Sequence, residues 1–204
     1  MNQEAKSLSI IKIGGNIIDN PTELSQFLAN FSKIEGNKIL VHGGGKSATK
    51  MAQSIGLTPQ MIDGRRITDQ PMLDVVVMIY AGKINKNIVA QLQAIDTNAI
   101  GFSGADGNLI QSTKRNHPTI DYGFVGDVQK VNTALLETLI SNGIAPVFCA
   151  ITHDKKGQLL NTNADTIASE LAIAASEVYE VTLNYCFEKA GVLTDVEDEN
   201  SVIQ

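Results

Sequence analysis

Short apolar runs that end in glycine alternate with stretches of helical periodicity along nearly the whole chain. This alternation limits the fold more than any other feature. Apolar strands that each lead into a helix belong in a mostly parallel sheet covered on both faces. Residues 8–13 (LSIIKI) read as the first such strand, stopped by Gly14-Gly15. Residues 22–32 set Leu24, Phe27, Leu28 and Phe31 on one helical face. A second strand, residues 38–41, ends at Gly43-Gly44-Gly45, and residues 47–55 form a helix closed by Gly56. Residues 58–67 are less regular, a hairpin or a loop. A long helix is predicted from about residue 71 to 94, with Pro71 suited to its first turn. Residues 99–102 make a short strand, and 109–113 with 123–131 an antiparallel excursion. Residues 135–140 are helical, 144–151 (IAPVFCAI) a single central strand, 154–157 a hairpin turn, 163–175 a helix and 177–186 a last strand. The expected fold class is α/β, a three-layer αβα sandwich. Its ligands belong at the carboxyl ends of the strands, in the loops after Ile13, Val41, Phe102 and Ile151.

Composition narrows the function classes. Lys plus Arg number 16 against 22 Asp plus Glu, a net charge of −6, which argues against a broad nucleic-acid footprint. A small anionic substrate needs only a few placed cations. Cys149 and Cys186 lie far apart in apolar runs and are expected as buried free thiols of a reducing compartment. His42, His117 and His153 lack metal-ligand spacing, so no protein metal site is expected. Residues 1–7 are polar and carry no secretory signal, and no apolar stretch has the length of a membrane span. The expected location is cytoplasmic.

Four motifs could carry chemistry. Lys12, one residue ahead of Gly14-Gly15, is an ammonium in an apolar strand, which calls for an anionic partner. The glycine pair lets backbone approach a phosphate. The run Val41-His42-Gly43-Gly44-Gly45-Lys46-Ser47 ends like a Walker A loop, but Leu40 stands where that loop needs glycine. The dinucleotide fingerprint fails at Ala48. What remains is a triple-glycine turn at a helix N-terminus, suited to a small anionic group such as a carboxylate. Asp63-Gly64-Arg65-Arg66-Ile67-Thr68 offers paired arginines for a carboxylate. In Asn161-Thr162-Asn163-Ala164-Asp165, capping accounts for Asn163 and Asp165 but not for Asn161. No G-x-S-x-G elbow is present.

Taken in order, IIKIGG (10–15), LVHGGGK (40–46), DGRRIT (63–68), GFSGADGN (101–108), GFVGDV (123–128) and NTNADT (161–166) resemble the amino-acid kinase family, on its acylglutamate branch. The resemblance covers essentially the whole chain. It implies that ATP, arriving with Mg²⁺, phosphorylates the γ-carboxylate of an N-acylated glutamate, acetyl before succinyl, in arginine biosynthesis. Under it, Lys12 stabilises the transferring phosphoryl group and Asp165 orients the catalytic lysines. Gly14 and Gly15 approach the nucleotide phosphates, Gly44 and Gly45 hold the acyl amino acid, Arg66 binds its α-carboxylate, and Asn161 and Asn163 contact the substrate. Metal ligands from the protein are few or none.

The family's members continue beyond residue 204 and draw a second catalytic lysine from a late helix, and Phe187-Glu188 replaces their usual serine/threonine–aspartate pair. Residues 1–176 are therefore expected as the acylglutamate domain and 177–204 as the start of an incomplete ATP domain. The competing reading is a truncated, non-catalytic acyl-amino-acid binding or sensor domain. The short N-terminus implies a homodimer insensitive to arginine, joined along the long helix.

Overall fold

The computed structural model describes residues 6–62 and 64–187, together with 194, 198 and 201. Asp63 and Glu188, each part of a motif above, lie outside the described residues, as does most of 188–204.

In chain order the strands are β1 (Lys6–Ile13), β2 (Asn37–His42), β3 (Met61–Ile62), β4 (Arg65–Arg66), β5 (Ala99–Phe102), β6 (Ile110–Lys114), β7 (Gly126–Val131), β8 (Ala145–Cys149), β9 (Ile151–His153), β10 (Leu159–Asn161) and β11 (Tyr179–Cys186). The helices are α1 (Gly15–Asp19), α2 (Pro21–Ser32), α3 (Gly45–Ser54), α4 (Gln70–Val77), α5 (Asn85–Gln93), α6 (Thr133–Ser141) and α7 (Ala164–Ala175). The main sheet has five parallel strands in the order β11-β1-β2-β8-β5. Successive residues along its inner strands are buried: Ile39, Leu40 and Val41 in β2, and Val147, Phe148 and Cys149 in β8. Burial of both alternating sets means that both faces are covered, as the β-branched runs required. Helix α7 packs on β1, β2 and β11, and α5 on β5 and β8.

The long helix runs as predicted from Gln70, with Pro71 in its first turn and Asp69 accepting a hydrogen bond from the Met72 N–H at 2.9 Å. Its middle, Met78–Ile84, is π-helical. A π segment inserts an extra residue per turn and redirects side chains, which periodicity alone does not announce.

Two expectations need correction. Residues 144–151 are not one strand. The chain bends at Ala150, so β8 stays in the main sheet while β9 joins a second sheet of order β10-β9-β6-β7. The break has a hydrogen-bonding cause. Beyond Cys149, the Ala150 carbonyl accepts from the Thr162 N–H and the Ile151 carbonyl from the Gly104 N–H, both outside the main ladder. The loop after Phe102 also stays away from the cavity described below. Ser103 and Asp106 satisfy one another, with Oγ donating to Oδ2 at 2.8 Å, and a Cβ on Gly104 would strike Ile110 and Thr152. Among the described residues no helix is long and apolar enough to cross a membrane.

Candidate active site

A cavity of about 260 Å³ opens where β1, β2 and β10 end. That is slightly below the ~300–1,000 Å³ of typical small-molecule sites. It suits an acylated amino acid better than a whole nucleotide.

One end is built by β1 and α7. Lys12 lies one residue from the end of β1, and Asp165 in the first turn of α7, where a carboxylate suits the helix dipole. Their side chains pair, Nζ to Oδ1, at 2.9 Å, with the lysine 17% and the aspartate 51% exposed. The ammonium thus sits at the cavity wall, neither unpaired nor fully solvated. Asn163 is the N-cap of α7, its Oδ1 accepting from the N–H groups of Asp165 at 2.7 Å and Thr166 at 3.1 Å. That fixes the helix start and hence the Asp165 position. Gly15 lines this end, and a Cβ there would meet nothing within 4 Å. Gly14 is placed differently. Its N–H donates to the Cys186 carbonyl at 2.9 Å, continuing the β1–β11 ladder, and it does not line the cavity.

The other end is built by the glycine turn after β2, the β3–β4 hairpin and the π segment. Helix α3 begins at Gly45 with no side chain capping its N-terminus. Gly44 has φ +149°, and a Cβ on it would overlap Ile84 Cδ1 and stand 3.0 Å from the Tyr80 ring. Only glycine lets this turn close against the helix. Arg66 is buried, and its Nη2 donates to Thr49 Oγ1 at 2.8 Å and to the Gly45 carbonyl at 3.1 Å. No carboxylate pairs with it among the described residues, and its guanidinium lines the cavity. Asn161 donates to Thr68 Oγ1 at 3.0 Å, which ties the end of β10 to the segment carrying Arg66.

Of the residues singled out from sequence, Lys12, Gly15, Gly44, Gly45, Arg66, Asn161, Asn163 and Asp165 meet in this cavity, and Gly14 stands behind it. Two polar lining residues, Tyr80 and Arg115, lie outside the sequence motifs. Tyr80 enters from the π segment, and burial pushes its phenol pKa up while the neighbouring Arg66 guanidinium opposes the shift. Arg115 enters from the end of β6, pairs with Asp127 through both Nε (3.0 Å) and Nη2, and lies over the Tyr122 ring. The only sequence signal for either was its neighbourhood: Tyr80 lies on the buried face of the long helix and Arg115 follows a strand. Among the described residues, no three His, Cys, Asp or Glu side chains converge as a metal site.

The model of the family described as "Amino acid kinase family" matches residues 7–202. The chain is 57% identical to the acetylglutamate kinase of Phocaeicola vulgatus over 198 residues, 97% of this chain and 77% of that one. It is also 57% identical to the acetylglutamate kinase of Cytophaga hutchinsonii, covering 97% of this chain and 75% of that one. Thus the chain spans about three quarters of the length of these relatives. Among solved structures, N-acetylglutamate synthase from Neisseria gonorrhoeae, complexed with coenzyme A and N-acetyl-glutamate, superposes with a TM-score of 0.76. The match covers 92% of this chain and 43% of that one at 20% identity, so it speaks for the fold alone.

Proposed function

Since the chain belongs to the amino acid kinase family, we propose that its cavity carries out the ATP-dependent phosphorylation of the γ-carboxylate of N-acetyl-L-glutamate, a step of arginine biosynthesis. An oxygen of the γ-carboxylate attacks the terminal phosphorus of ATP, the bond to the bridging oxygen breaks, and acyl phosphate and ADP leave. There is little covalent chemistry for the protein, so positioning and charge do the catalysis.

The observation that carries this reading is one cavity with a lysine–aspartate pair at one end and, at the other, a buried arginine that no carboxylate among the described residues pairs with. Arg66 takes the α-carboxylate through the guanidinium N–H groups that Thr49 and Gly45 leave free. Uncapped N–H groups at Gly44 and Gly45 receive the acyl amino acid at the positive end of α3. Asn161 and Asn163 contact the substrate. The Asn163 oxygen is committed to capping α7, so this residue offers its amide N–H groups. Lys12 stabilises negative charge on the phosphoryl group in flight, with Asp165 holding its ammonium in place. Gly15, with open space over its Cα, lets phosphate approach the backbone. Gly14 contributes by having no side chain, since its N–H is already bonded. Mg²⁺ would arrive with the nucleotide as part of the substrate and would offset the negative charge of its phosphates.

Residues 1–176 supply the acylglutamate half in this account, and 177–204 open the nucleotide half. Two copies join along the long helix, whose π segment leaves Met78 half-exposed. Light scattering checks that pairing. A binding-only role finds no support in relatives named as kinases at this identity. The test of function is coupled ADP release with MgATP. Release that depends on N-acetyl-L-glutamate is expected, and its absence would overturn the assignment.

A further inference from the structure

Beneath the second glycine turn lies a buried polar chain to which the function above gives no role. His42 ends β2, is fully buried, and immediately precedes Gly43-Gly44-Gly45. Its Nδ1 lies 2.9 Å from the Gly43 carbonyl and its Nε2 lies 3.1 Å from Asn85 Nδ2. Asn85, also buried, opens α5 directly after the π segment. Its Nδ2 lies 2.9 Å from the Val147 carbonyl of β8, and its Oδ1 lies 3.2 Å from Lys86 Nζ. Lys86 also donates to the Gly101 carbonyl at 3.1 Å.

The direction of every hydrogen bond here follows from elementary donor counting. The Val147 carbonyl can only accept, and the Lys86 ammonium can only donate. The Asn85 amide is therefore fixed with its NH₂ toward Val147 and His42. Nε2 of His42 must then accept, so it is unprotonated. The Gly43 carbonyl needs a donor, so the ring proton sits on Nδ1. Each group is satisfied in one tautomer and in no other. The Asn85 Oδ1 packs closely against β5, where it occupies the space a Cβ on Gly101 would fill.

We propose that His42 is a positioning residue for acylglutamate binding: its neutral Nδ1–H tautomer, imposed by Asn85, fixes the Gly43 carbonyl and so aims the N–H groups of Gly44 and Gly45 into the cavity. The inference rests on the assignment of the acylglutamate end to that turn. The energetic logic is pre-organisation. A three-glycine segment has unusual backbone freedom, and ordering it only when ligand binds would cost affinity. Tyr80 and Ile84 restrain Gly44 from one side, and His42 restrains Gly43 from below. The titratable groups facing the ring are few. Lys86 on α5 disfavours a second charge, and Cys149, its register partner on β8, is a buried thiol whose pKa is pushed up to about 12. Burial first, and then Lys86, hold the imidazole pKa down to about 4, while the Gly43 bond opposes them.

The chain has three histidines, so ¹⁵N-histidine labelling gives a spectrum of three rings. In the full chain, long-range ¹H–¹⁵N correlation at pH 7 is expected to find one ring, lost in His42→Gln, as the Nδ1–H tautomer. An Nε2–H ring at this position would overturn the proposal without any variant. The second arm is Asn85→Asp, which puts an acceptor opposite Nε2 and so draws the proton of the neutral ring to Nε2, away from the Gly43 carbonyl. Its Kd for N-acetyl-L-glutamate, by calorimetry, is expected to rise about tenfold, the scale of one lost hydrogen bond. The loss should diminish as falling pH adds a second proton to the ring and restores Nδ1–H. A folded Asn85→Asp protein that binds like the wild type at every pH would overturn the positioning role. Wild-type protein that fails to bind N-acetyl-L-glutamate contradicts the assignment of the cavity instead, and the NMR result separates the two failures.

Discussion

Two glycine turns sit side by side at the ends of neighbouring strands β1 and β2, yet they use glycine for opposite purposes. At Gly15 a side chain would meet nothing within 4 Å, and the residue faces open cavity. At Gly44 a side chain would run into Ile84 and Tyr80, and the backbone adopts φ +149°. The first turn leaves space for a ligand, and the second lets the protein pack against itself. The helices that follow differ in the same sense. α1 is a five-residue turn, whereas α3 runs ten residues with Ala48 and Ala52 buried. A run of glycines beside a strand is therefore not one signal. Its meaning depends on what the fold brings over it.

The largest effect is expected at Lys12, which serves the open turn. Lys12→Ala is expected to lower kcat by about 10²–10³, the loss typical for one preorganised group facing developing charge. KM for N-acetyl-L-glutamate should change little. An unchanged kcat would remove Lys12 from its role. At the closed turn the damage should fall on the fold. Gly44→Ala forces an L residue into left-handed backbone and into the Tyr80 ring, at a cost of about 3 kcal/mol, read as a lower urea midpoint. A wild-type midpoint would mean the turn is looser than its contacts suggest.

Acid should weaken the closed turn as well. Folding lowers the His42 pKa from 6.5 to about 4, so below pH 6.5 the unfolded chain binds a proton that the folded one refuses. The contribution is complete above pH 6.5 and is lost as pH falls toward 4, by up to about 3 kcal/mol. Urea titrations at pH 7 and 4.5 measure the drop, and in His42→Gln it should shrink. The smallest effect on stability belongs to Gly15→Ala, which has room for its methyl and sits at the start of a helix. Stability should rise by about 0.5–1 kcal/mol or stay level, while KM for ATP rises several-fold. Equal behaviour of the Gly15 and Gly44 variants would dissolve the distinction between the turns.

Much of this was legible in the sequence because the site lies at strand ends. Ile10 to Ile13 had to be a buried strand, so Lys12 and Gly15 had to emerge near its carboxyl end, beside whatever followed Val41. Asn163 announced the start of α7 through capping chemistry, which in turn placed Asp165. What stayed hidden depends on contacts between distant segments. Tyr80 looks like any core aromatic on a long helix, because nothing in a 3.6-residue period foretells a π segment that turns it toward Gly44. Arg115 reaches the cavity through a β6–β7 pairing whose register shifts between Gln111 and Ser112. The break at Ala150 is set by Gly104 and Thr162, partners that lie outside the apolar run it interrupts. His42 looked like a poor metal ligand, and its role emerges only when Asn85, 43 residues away, stands over it.

The central claim is that this cavity joins an acylglutamate carboxylate to the terminal phosphoryl group of ATP. Hydroxylamine trapping tests it most directly, because an acyl phosphate reacts to give a hydroxamate and a simple ATP hydrolysis does not. Hydroxamate is expected to form only when MgATP and N-acetyl-L-glutamate are both present, and to fall by about 10²–10³ in rate for Lys12→Ala. ADP release without hydroxamate, or hydroxamate formed as fast by the Lys12→Ala protein, would contradict it.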